Sequence, residues 1–254
     1  MKKLLLILLC FPIIGFGQNV NISDANFKAY LIGEPLINTN GDSEIQVSEA
    51  ISFNGQISCE NMNISDLTGI EYFINLTSLY CPNNQINTLN ISQNISLTGL
   101  SCYDNQLTSL NLNGAIALKF VYAWNNQLVN LDVSQNTSLI SLLCNNNQLI
   151  SLDLSQITCA LQINESDFSE NPNLNCIEVT DLSCWQNNFL GFLDTTYQYY
   201  STNCSETTFI SEYTTNKELL KVTDLLGRDI KPEANTPFIQ IYDDGTVEKK
   251  IILE

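Results

Sequence analysis

The amino-acid sequence predicts a mainly β fold, a solenoid in which each coil of 21 residues adds one short strand to a parallel sheet. The main observation is a repeat whose rows begin at Leu76, Leu97, Leu118 and Leu139 and align without a gap as far as Leu154. A fixed period of this kind is typical of repeat proteins, in which each coil buries its apolar side against its neighbours. The composition of the 254 residues, 44 % hydrophobic and 15 % charged, also favours a folded chain.

Each row follows the pattern L-x-x-L-x-L-x-x-N/C-x-L. The first row reads Leu76, Leu79, Cys81, Asn84 and Ile86, and the next three rows repeat it at the same spacing. The repeat resembles the leucine-rich-repeat family, and this resemblance implies a solenoid with a parallel sheet on its concave side. We assign residues 54–158 to the repeats, with residues 57–75 as an imperfect first coil.

Either half of a row could hold the concave strand, because the apolar spacing occurs twice in each row. The first half contains an unbroken column of asparagines, Asn84, Asn105, Asn126 and Asn147, whereas the second column is interrupted at Ala115 and Ile157. Buried Asn amides can satisfy the inward-facing backbone groups of every coil, so the unbroken column marks the strand-bearing half. The predicted strands therefore lie around residues 78–82, 99–103, 120–124 and 141–145.

Side-chain alternation along these strands predicts which residues point inward. One inward column consists of Cys59, Cys81, Cys102, Ala123 and Cys144. Free Cys packs as a small hydrophobe, so we interpret this column as part of the core. The column lacks the paired spacing of structural zinc sites, and disulfides between stacked coils are not expected.

Aromatic side chains with one acidic neighbour are predicted to face outward on adjacent strands: Tyr80, Tyr103, Asp104, Tyr122 and Trp124. Aromatic rings give large contact areas at low entropic cost and are enriched at binding hot spots. We interpret this group as a ligand-binding face. The alternative is that the rings pack across strands only to stabilise the sheet.

Residues 1–17 have the layout of a secretory signal peptide, with Lys2 and Lys3 before a short apolar run and Gly15 and Gly17 near the expected cleavage site. No later segment is long and apolar enough to span a bilayer, so we expect an exported protein without a transmembrane segment in its mature chain. Residues 18–53 are assigned to an N-terminal cap. Within it, residues 23–32 are predicted as a short helix that covers the open end of the solenoid.

The cap contains a stretch of twelve residues, NTNGDSEIQVSE, with the ligand spacing of a calcium-binding loop. The candidate oxygen ligands are Asn38, Asn40, Asp42, Glu44 (through its carbonyl) and Glu49. Two positions depart from the pattern, since the first is Asn instead of Asp and the sixth is Ser43 instead of Gly. The alternative is a polar turn that links the cap helix to the first coil. No other cofactor is expected.

The formal net charge is −17, and Lys28 and Lys119 are the only basic residues between residues 4 and 216. Nucleic-acid binding needs basic patches, so the composition excludes it. The chain contains no His, which excludes Ser-His-Asp and Cys-His nucleophiles and His-based zinc sites. The acidic residues are scattered and form no catalytic motif, so we expect a protein that is not an enzyme.

After Leu154 the register ends, and we assign residues 159–208 to a C-terminal cap, in which residues 171–179 resemble a last strand. Four cysteines cluster there: Cys159, Cys176, Cys184 and Cys204. Four cysteines allow three pairings, and the sequence does not choose among them. In an oxidising compartment, we expect one disulfide between Cys176 and Cys204 and another between Cys159 and Cys184.

Residues 212–254 have a different pattern, with alternating apolar residues and turn signals that predict a small antiparallel, β-sandwich-like unit. The segments KVTDLLGR and IYDDGTVEKK look like the sorting domain of type IX secretion. This resemblance implies that an exporter in a bacterial outer membrane recognises residues 221–254 as an address and then usually removes them. The residues that carry it are Lys221, Gly227, Arg228, Asp244 and Gly245.

Together these features predict a secreted or cell-surface leucine-rich-repeat protein that acts in protein or glycan recognition or adhesion. Its expected partners are the type IX secretion machinery and an unknown ligand. The alternative is a structural role in a surface layer, without a specific ligand.

Overall fold

A computed structural model describes the following residues: 17–157, 166–183, 185, 198–204, 219–224, 227–231, 235–242 and 247–250. The predicted signal segment up to residue 16 and the predicted pair Cys159 and Cys184 lie outside these residues, as do Asp244 and Gly245. The chain divides into two compact units, Met1–Ser205 and Glu206–Glu254.

The first unit is a solenoid of about six turns whose main sheet contains five parallel strands. Strand order follows chain order along the solenoid, and the strands are β1 (Gln56–Ser58), β2 (Ser78–Tyr80), β4 (Gly99–Ser101), β6 (Phe120–Tyr122) and β7 (Ser141–Leu143). Each residue of a strand pairs with the residue 21 or 22 positions later, in the next strand, as Leu79 pairs with Leu100 and Leu100 with Val121. The predicted strands of the four regular rows are confirmed, although each one ends two residues earlier than expected.

The asparagine column supplies the hydrogen bonds inside the coils. Asn105 is 9 % exposed, and its Nδ2 donates to the carbonyl oxygens of Cys81, Cys102 and Tyr103 at 3.1–3.2 Å. Its Oδ1 accepts the backbone N–H of Ile86 at 3.0 Å. Equivalent bonds occur at Asn84, Asn126 and Asn147. One buried amide thus joins each coil to the preceding one.

The chain turns sharply just before each of these buried amides. The turning residues are Asn83, Asp104, Asn125 and Asn146, with φ between 52° and 54°. Asn61 and Glu170 adopt the same conformation at the corresponding positions of the first and last coils. This left-handed conformation is unfavourable for most residues, and Asn and Asp tolerate it best. The turn explains why the strands stop at residues 80, 101, 122 and 143.

The opposite side of the solenoid holds shorter sheets. There β3 (Thr88–Asn90) pairs with β5 (Ser109–Asn111), and a second parallel sheet contains β8 (Leu152–Asp153), β9 (Cys176–Glu178) and β10 (Tyr199–Ser201). The interrupted second asparagine column lies on this side, where the fully buried Asn94 and Asn136 donate to backbone carbonyls of the preceding coil. The longer sheet therefore lies in the half of the coil with the unbroken column, as predicted.

The predicted cap helix is α1 (Ala25–Gly33), and the helix buries Phe27 and Leu31. Asp24 caps its N-terminus, since its Oδ1 accepts the backbone N–H groups of Asn26 and Phe27. Its Oδ2 accepts the N–H and hydroxyl of Ser65 in the first coil, both at 2.9 Å. The same carboxylate therefore begins the helix and fixes it on the solenoid.

A second helix, α2 (Val47–Ser52), follows the candidate calcium loop and was not predicted from the sequence. It begins with a capping box, in which the Gln46 side chain accepts from the backbone of Glu49 and the Glu49 side chain accepts from the backbone of Gln46. A single 3₁₀ turn, Ile70–Tyr72, lies in the first coil. Within the described residues, no helix is long and apolar enough to cross a membrane.

The asparagine column continues beyond Leu154, where the sequence showed no register. Asn171 is fully buried, donates to the carbonyl oxygens of Cys144 and Phe168, and accepts the N–H of Leu149. Residues 166–179 thus include a further coil, although they belong to the segment that we assigned to the C-terminal cap. Asn171 follows Asn147 after 24 residues instead of 21. The coil therefore does not align with the 21-residue rows of the sequence.

The predicted disulfide between Cys176 and Cys204 is present. It joins β9 to the residues just after β10, the last strand of the second sheet. Beside it, Trp185 is fully buried and its ring centroid lies 5.6 Å from that of Tyr200. The pairing of Cys159 with Cys184 stays a prediction.

The second unit is a three-stranded antiparallel sheet with β12 in the centre: β11 (Leu219–Thr223), β12 (Phe238–Tyr242) and β13 (Val247–Lys250). The predicted turn at Gly227 has a φ of 82°, a conformation that favours glycine. Asp224 closes this turn, because its backbone N–H donates to the Arg228 carbonyl and its carboxylate accepts from the Arg228 Nε at 2.6 Å. Lys221 forms an exposed ion pair with Asp229.

Replacing Asn105 by Ala leaves the carbonyls of three residues and one N–H without their buried partner. We expect the free energy of unfolding to fall by about 2–4 kcal/mol, since an unsatisfied buried group costs about 1–3 kcal/mol. Urea unfolding measures this loss. Gln106→Ala, at an exposed neighbouring position, is the matched control and should change stability by less than about 0.5 kcal/mol.

Replacing Cys176 and Cys204 by Ser removes a crosslink between residues that are 28 positions apart. The chain-entropy account predicts a loss of about 3–4 kcal/mol for a loop of this length. Unfolding of the wild-type protein with and without reductant should reproduce the effect of the double variant. Equal stability under all three conditions would contradict the prediction.

Candidate functional site

The predicted aromatic residues come together on the outward face of the five-stranded sheet. We call Tyr80, Tyr103, Tyr122 and Trp124 the aromatic strip. All four side chains are partly exposed. They lie at the ends of β2, β4 and β6, or up to two residues beyond, in positions whose neighbours Cys81, Cys102 and Ala123 point into the core. Alternation along a strand therefore places the rings outward.

Stacking of rings from neighbouring coils organises the strip. Tyr103 and Trp124 lie flat against each other, with ring centroids 3.9 Å apart and an interplanar angle of 7°. Because these rings come from successive coils, their flat faces are directed along the solenoid axis and their edges border the outer surface. A partner that approaches the sheet would meet the ring edges and the tyrosine hydroxyl groups.

The remaining rings extend the strip on both sides of this stack. Tyr80 meets Tyr103 at an interplanar angle of 76°, and their hydroxyl groups form a hydrogen bond of 2.8 Å. Tyr122 lies 5.9 Å from Trp124, and Phe120 lies 6.5 Å from Tyr122 between ring centroids. The strip therefore spans three successive coils without a break.

Acidic and amide groups border the strip. The hydrogen bond with Tyr103 raises the pKa of Tyr80, and burial and the nearby Glu60 carboxylate raise it further. Asp104 accepts a hydrogen bond of 2.6 Å from Asn125, which in turn accepts one of 2.7 Å from Asn146. This chain of amides begins at a carboxylate, and no lysine or arginine bonds to it within the described residues.

The structure thus groups all five residues predicted for the ligand-binding face, with Asp104 at its margin. Sequence reasoning missed Phe120, which is 39 % exposed, and Glu60. Alternation provides a signal for Phe120, since residues 120, 122 and 124 point the same way. Its column otherwise contains Ser78, Gly99 and Ser141, which gave no aromatic pattern.

The cysteine column lies directly beneath the strip. Cys59, Cys81, Cys102 and Cys144 are free thiols with no exposed surface. Burial raises the pKa of both Cys59 and Cys102 to about 12. Because the thiolate is the reactive form, these buried thiols stay protonated and unreactive, which agrees with a packing role.

The candidate calcium residues lie in the loop between α1 and α2, except for Glu49, which lies in the first turn of α2. Asp42 and Asn40 form successive turns, in which Asn40 Oδ1 accepts the N–H of Asp42 and Asp42 Oδ1 accepts the N–H of Glu44. Glu49 Oε1 accepts the N–H groups of Thr39 and Asn40. Within the described parts of the chain, no cluster of three or more His, Cys, Asp or Glu side chains is arranged to hold a metal.

Comparisons with known proteins agree with the fold. No family model matches the chain, and no curated protein matches its sequence. The functional domain of InlJ from Listeria monocytogenes, described as including a cysteine ladder, aligns with a TM-score of 0.52 and 29 % identity. The fold is a leucine-rich-repeat solenoid. The alignment covers 64 % of this chain but only 38 % of the InlJ chain.

Two further structures from Listeria monocytogenes are weaker matches. Internalin C2 aligns over 72 % of this chain and 99 % of its own, with 19 % identity and a TM-score of 0.36. The internalin InlF aligns over 65 % of this chain and 66 % of its own, with 17 % identity and a TM-score of 0.29.

Proposed function

We propose that this chain is a secreted or cell-surface recognition protein that binds a protein or glycan ligand through the aromatic strip. The observation that carries the proposal is the grouping of five partly exposed rings, including Phe120, on one face of a rigid sheet. Large rings held in fixed positions lose little conformational entropy on binding, so they suit a contact surface. The strip is also held by in-register strands instead of a long loop.

The charges around the strip favour a basic or neutral partner. Residues 18–204 contain 17 acidic residues, and Lys28 and Lys119 are their only basic ones. An acidic surface repels acidic partners and accelerates encounters with basic ones at low salt. Glu60 and Asp104 bring this charge to the edge of the strip.

The proposal includes no catalytic activity. The chain has no His, and the described thiols are buried beneath the sheet. Asp104 beside the strip serves as a hydrogen-bond acceptor, and no second carboxylate bonds to it in the part of the chain that the structure describes.

We also propose that the C-terminal unit directs export by type IX secretion. Support comes from the sequence resemblance and from the compact antiparallel sheet, which forms a unit separate from the solenoid. The Cys176–Cys204 disulfide agrees with an oxidising compartment outside the cytosol.

A structural role in a surface layer is the second candidate. The observation in its favour is that Tyr103 and Trp124 already cover each other's faces and that Tyr80 and Tyr103 pair their hydroxyl groups. Rings satisfied in this way contribute to sheet stability without any ligand.

Replacing both Tyr103 and Trp124 by Ser should weaken ligand binding by at least about tenfold, because central aromatic residues typically contribute 2 kcal/mol or more to an interface. Ligands identified by screening the wild-type protein against protein and glycan arrays would be measured again with the variant. Circular dichroism and the unfolding midpoint report whether the solenoid remains folded.

The matched control for this double variant is Ile95→Ser with Ile116→Ser. These residues are 55 % and 59 % exposed in neighbouring coils and lie outside the strip. The control should bind like the wild-type protein. An unfolded Tyr103/Trp124 variant, or arrays without any specific ligand, would favour the structural role.

Deleting residues 212–254 should retain the protein in the periplasm of a bacterium that carries type IX secretion. Cell fractionation, with mass spectrometry of both mature ends, measures this outcome. Thr236→Ala, an exposed position in the same unit, should be exported normally. Unchanged surface delivery of the deleted protein would contradict the proposed route.

A further inference from the structure

Two carboxylates, Asp42 in the loop between α1 and α2 and Glu49 in the first turn of α2, have no cationic partner among the described residues. Glu49 is only 8 % exposed and Asp42 lies nearby at the surface of the loop. The third acidic residue, Glu44, is neutralised by Lys28, whose Nζ lies 2.7 Å from its Oε1. A buried charge is unfavourable unless it is paired, and Glu49 is buried without an ion-pair partner and is stabilised by hydrogen bonds alone.

The hydrogen bonds of Glu49 fix its position but supply no positive charge. Its Oε1 accepts from the backbone and hydroxyl of Thr39 at 2.8 and 3.0 Å and from the N–H of Asn40 at 3.2 Å. Its Oε2 accepts from the N–H of Gln46 at 3.0 Å. The carboxylate therefore holds together the two ends of the loop.

Asn38 provides an independent indication of a ligand. Its side chain is 95 % buried, and its Nδ2 donates to the carbonyl oxygens of Ile32 and Asp42 at 3.2 and 2.8 Å. These bonds hold the amide group against the loop interior. Its Oδ1 is buried and has no hydrogen-bond partner. An unsatisfied buried oxygen is unfavourable, and a bound cation would satisfy it.

We propose that this loop binds a calcium ion, with Asn38, Asn40, Asp42, the Glu44 carbonyl and Glu49 as its oxygen ligands. Calcium prefers six to eight oxygen ligands from carboxylates, amides and backbone carbonyls, which is the donor set present here. Because most of these donors are amides or carbonyls, the site does not require a cluster of three acidic side chains.

The remaining contacts of the loop are compatible with cation entry. Asp42 Oδ2 accepts only from the amides of Asn40 and Gln46, both at 3.0 Å and both at the exposed side of the loop. Exposed hydrogen bonds of this kind contribute little net stability, so a divalent cation would displace them at low cost. The sharp turn is made by Gly41, with a φ of 70°, and Ser43 needs no left-handed backbone.

The proposal predicts that calcium stabilises the protein. After treatment with EDTA, the unfolding midpoint of the full chain should rise by a few degrees as CaCl2 increases, with half of the effect at about 0.1–1 mM. Magnesium at the same concentrations should have a smaller effect, because it demands stricter octahedral geometry. Isothermal calorimetry gives the affinity directly.

Three variants distinguish calcium binding at this site from general neutralisation of the acidic surface by calcium. Asp42→Asn should weaken calcium binding at least about tenfold, and Asn38→Asp should strengthen it by adding a charged ligand. Glu34→Gln is the matched control, since this partly exposed carboxylate precedes the loop and is not a proposed ligand, and the calcium affinity of this variant should change by less than about threefold.

Two results would overturn the proposal. One is the absence of calcium binding at 10 mM in both the wild-type protein and Asn38→Asp. The other is an equal loss of the calcium response in Asp42→Asn and Glu34→Gln, which would indicate nonspecific binding to the negative surface. These calcium measurements do not test the proposed function of the aromatic strip, because they use no ligand of the strip.

Discussion

The hydrogen bonds of the asparagine column hold the rest of the structure in place. A coil of 21 residues turns its backbone polar groups inward, where water does not reach them, and one amide per coil pairs with four of them. The left-handed turn before each Asn ends the strand and aims the amide inward. Because the column fixes the relative rotation of neighbouring coils, it also fixes the register in which Tyr103 stacks on Trp124.

Both ends of the solenoid are closed by polar contacts as well as by apolar packing. At the start, Asp24 ties α1 to Ser65, and the Tyr30 hydroxyl accepts the N–H of Ser58 in the first strand. At the other end the disulfide fixes β9 and β10, and Gln198 donates to the carbonyl of Phe168. The terminal coils, which have a neighbour on one side only, thus receive the partners that inner coils obtain from each other.

The regular part of the fold and most of the candidate site follow from the sequence because the period is fixed. Once Leu79, Leu100 and Val121 are aligned, alternation places Cys81 and Cys102 inside and Tyr103 and Trp124 outside. A last strand is predicted at residues 171–179 and contains β9, but its coil does not align with the regular rows because Asn171 is displaced by three residues. Helix α2 was missed because six residues are too few for a helical period, and its capping box overlaps the loop. Phe120 has no aromatic counterpart in its column, so alternation along its own strand was the only sequence signal for it.

The asparagine column also constrains how such a chain can change its length. Every buried amide in the regular rows bonds only to its own coil and to adjacent ones, so no bond depends on how many coils precede or follow. Gain or loss of one complete 21-residue row would preserve each of these contacts, whereas a partial row would misalign them all. The exposed sheet can therefore grow or shrink in whole-coil steps, and the area of its outer face can evolve by duplication without redesign of the interior.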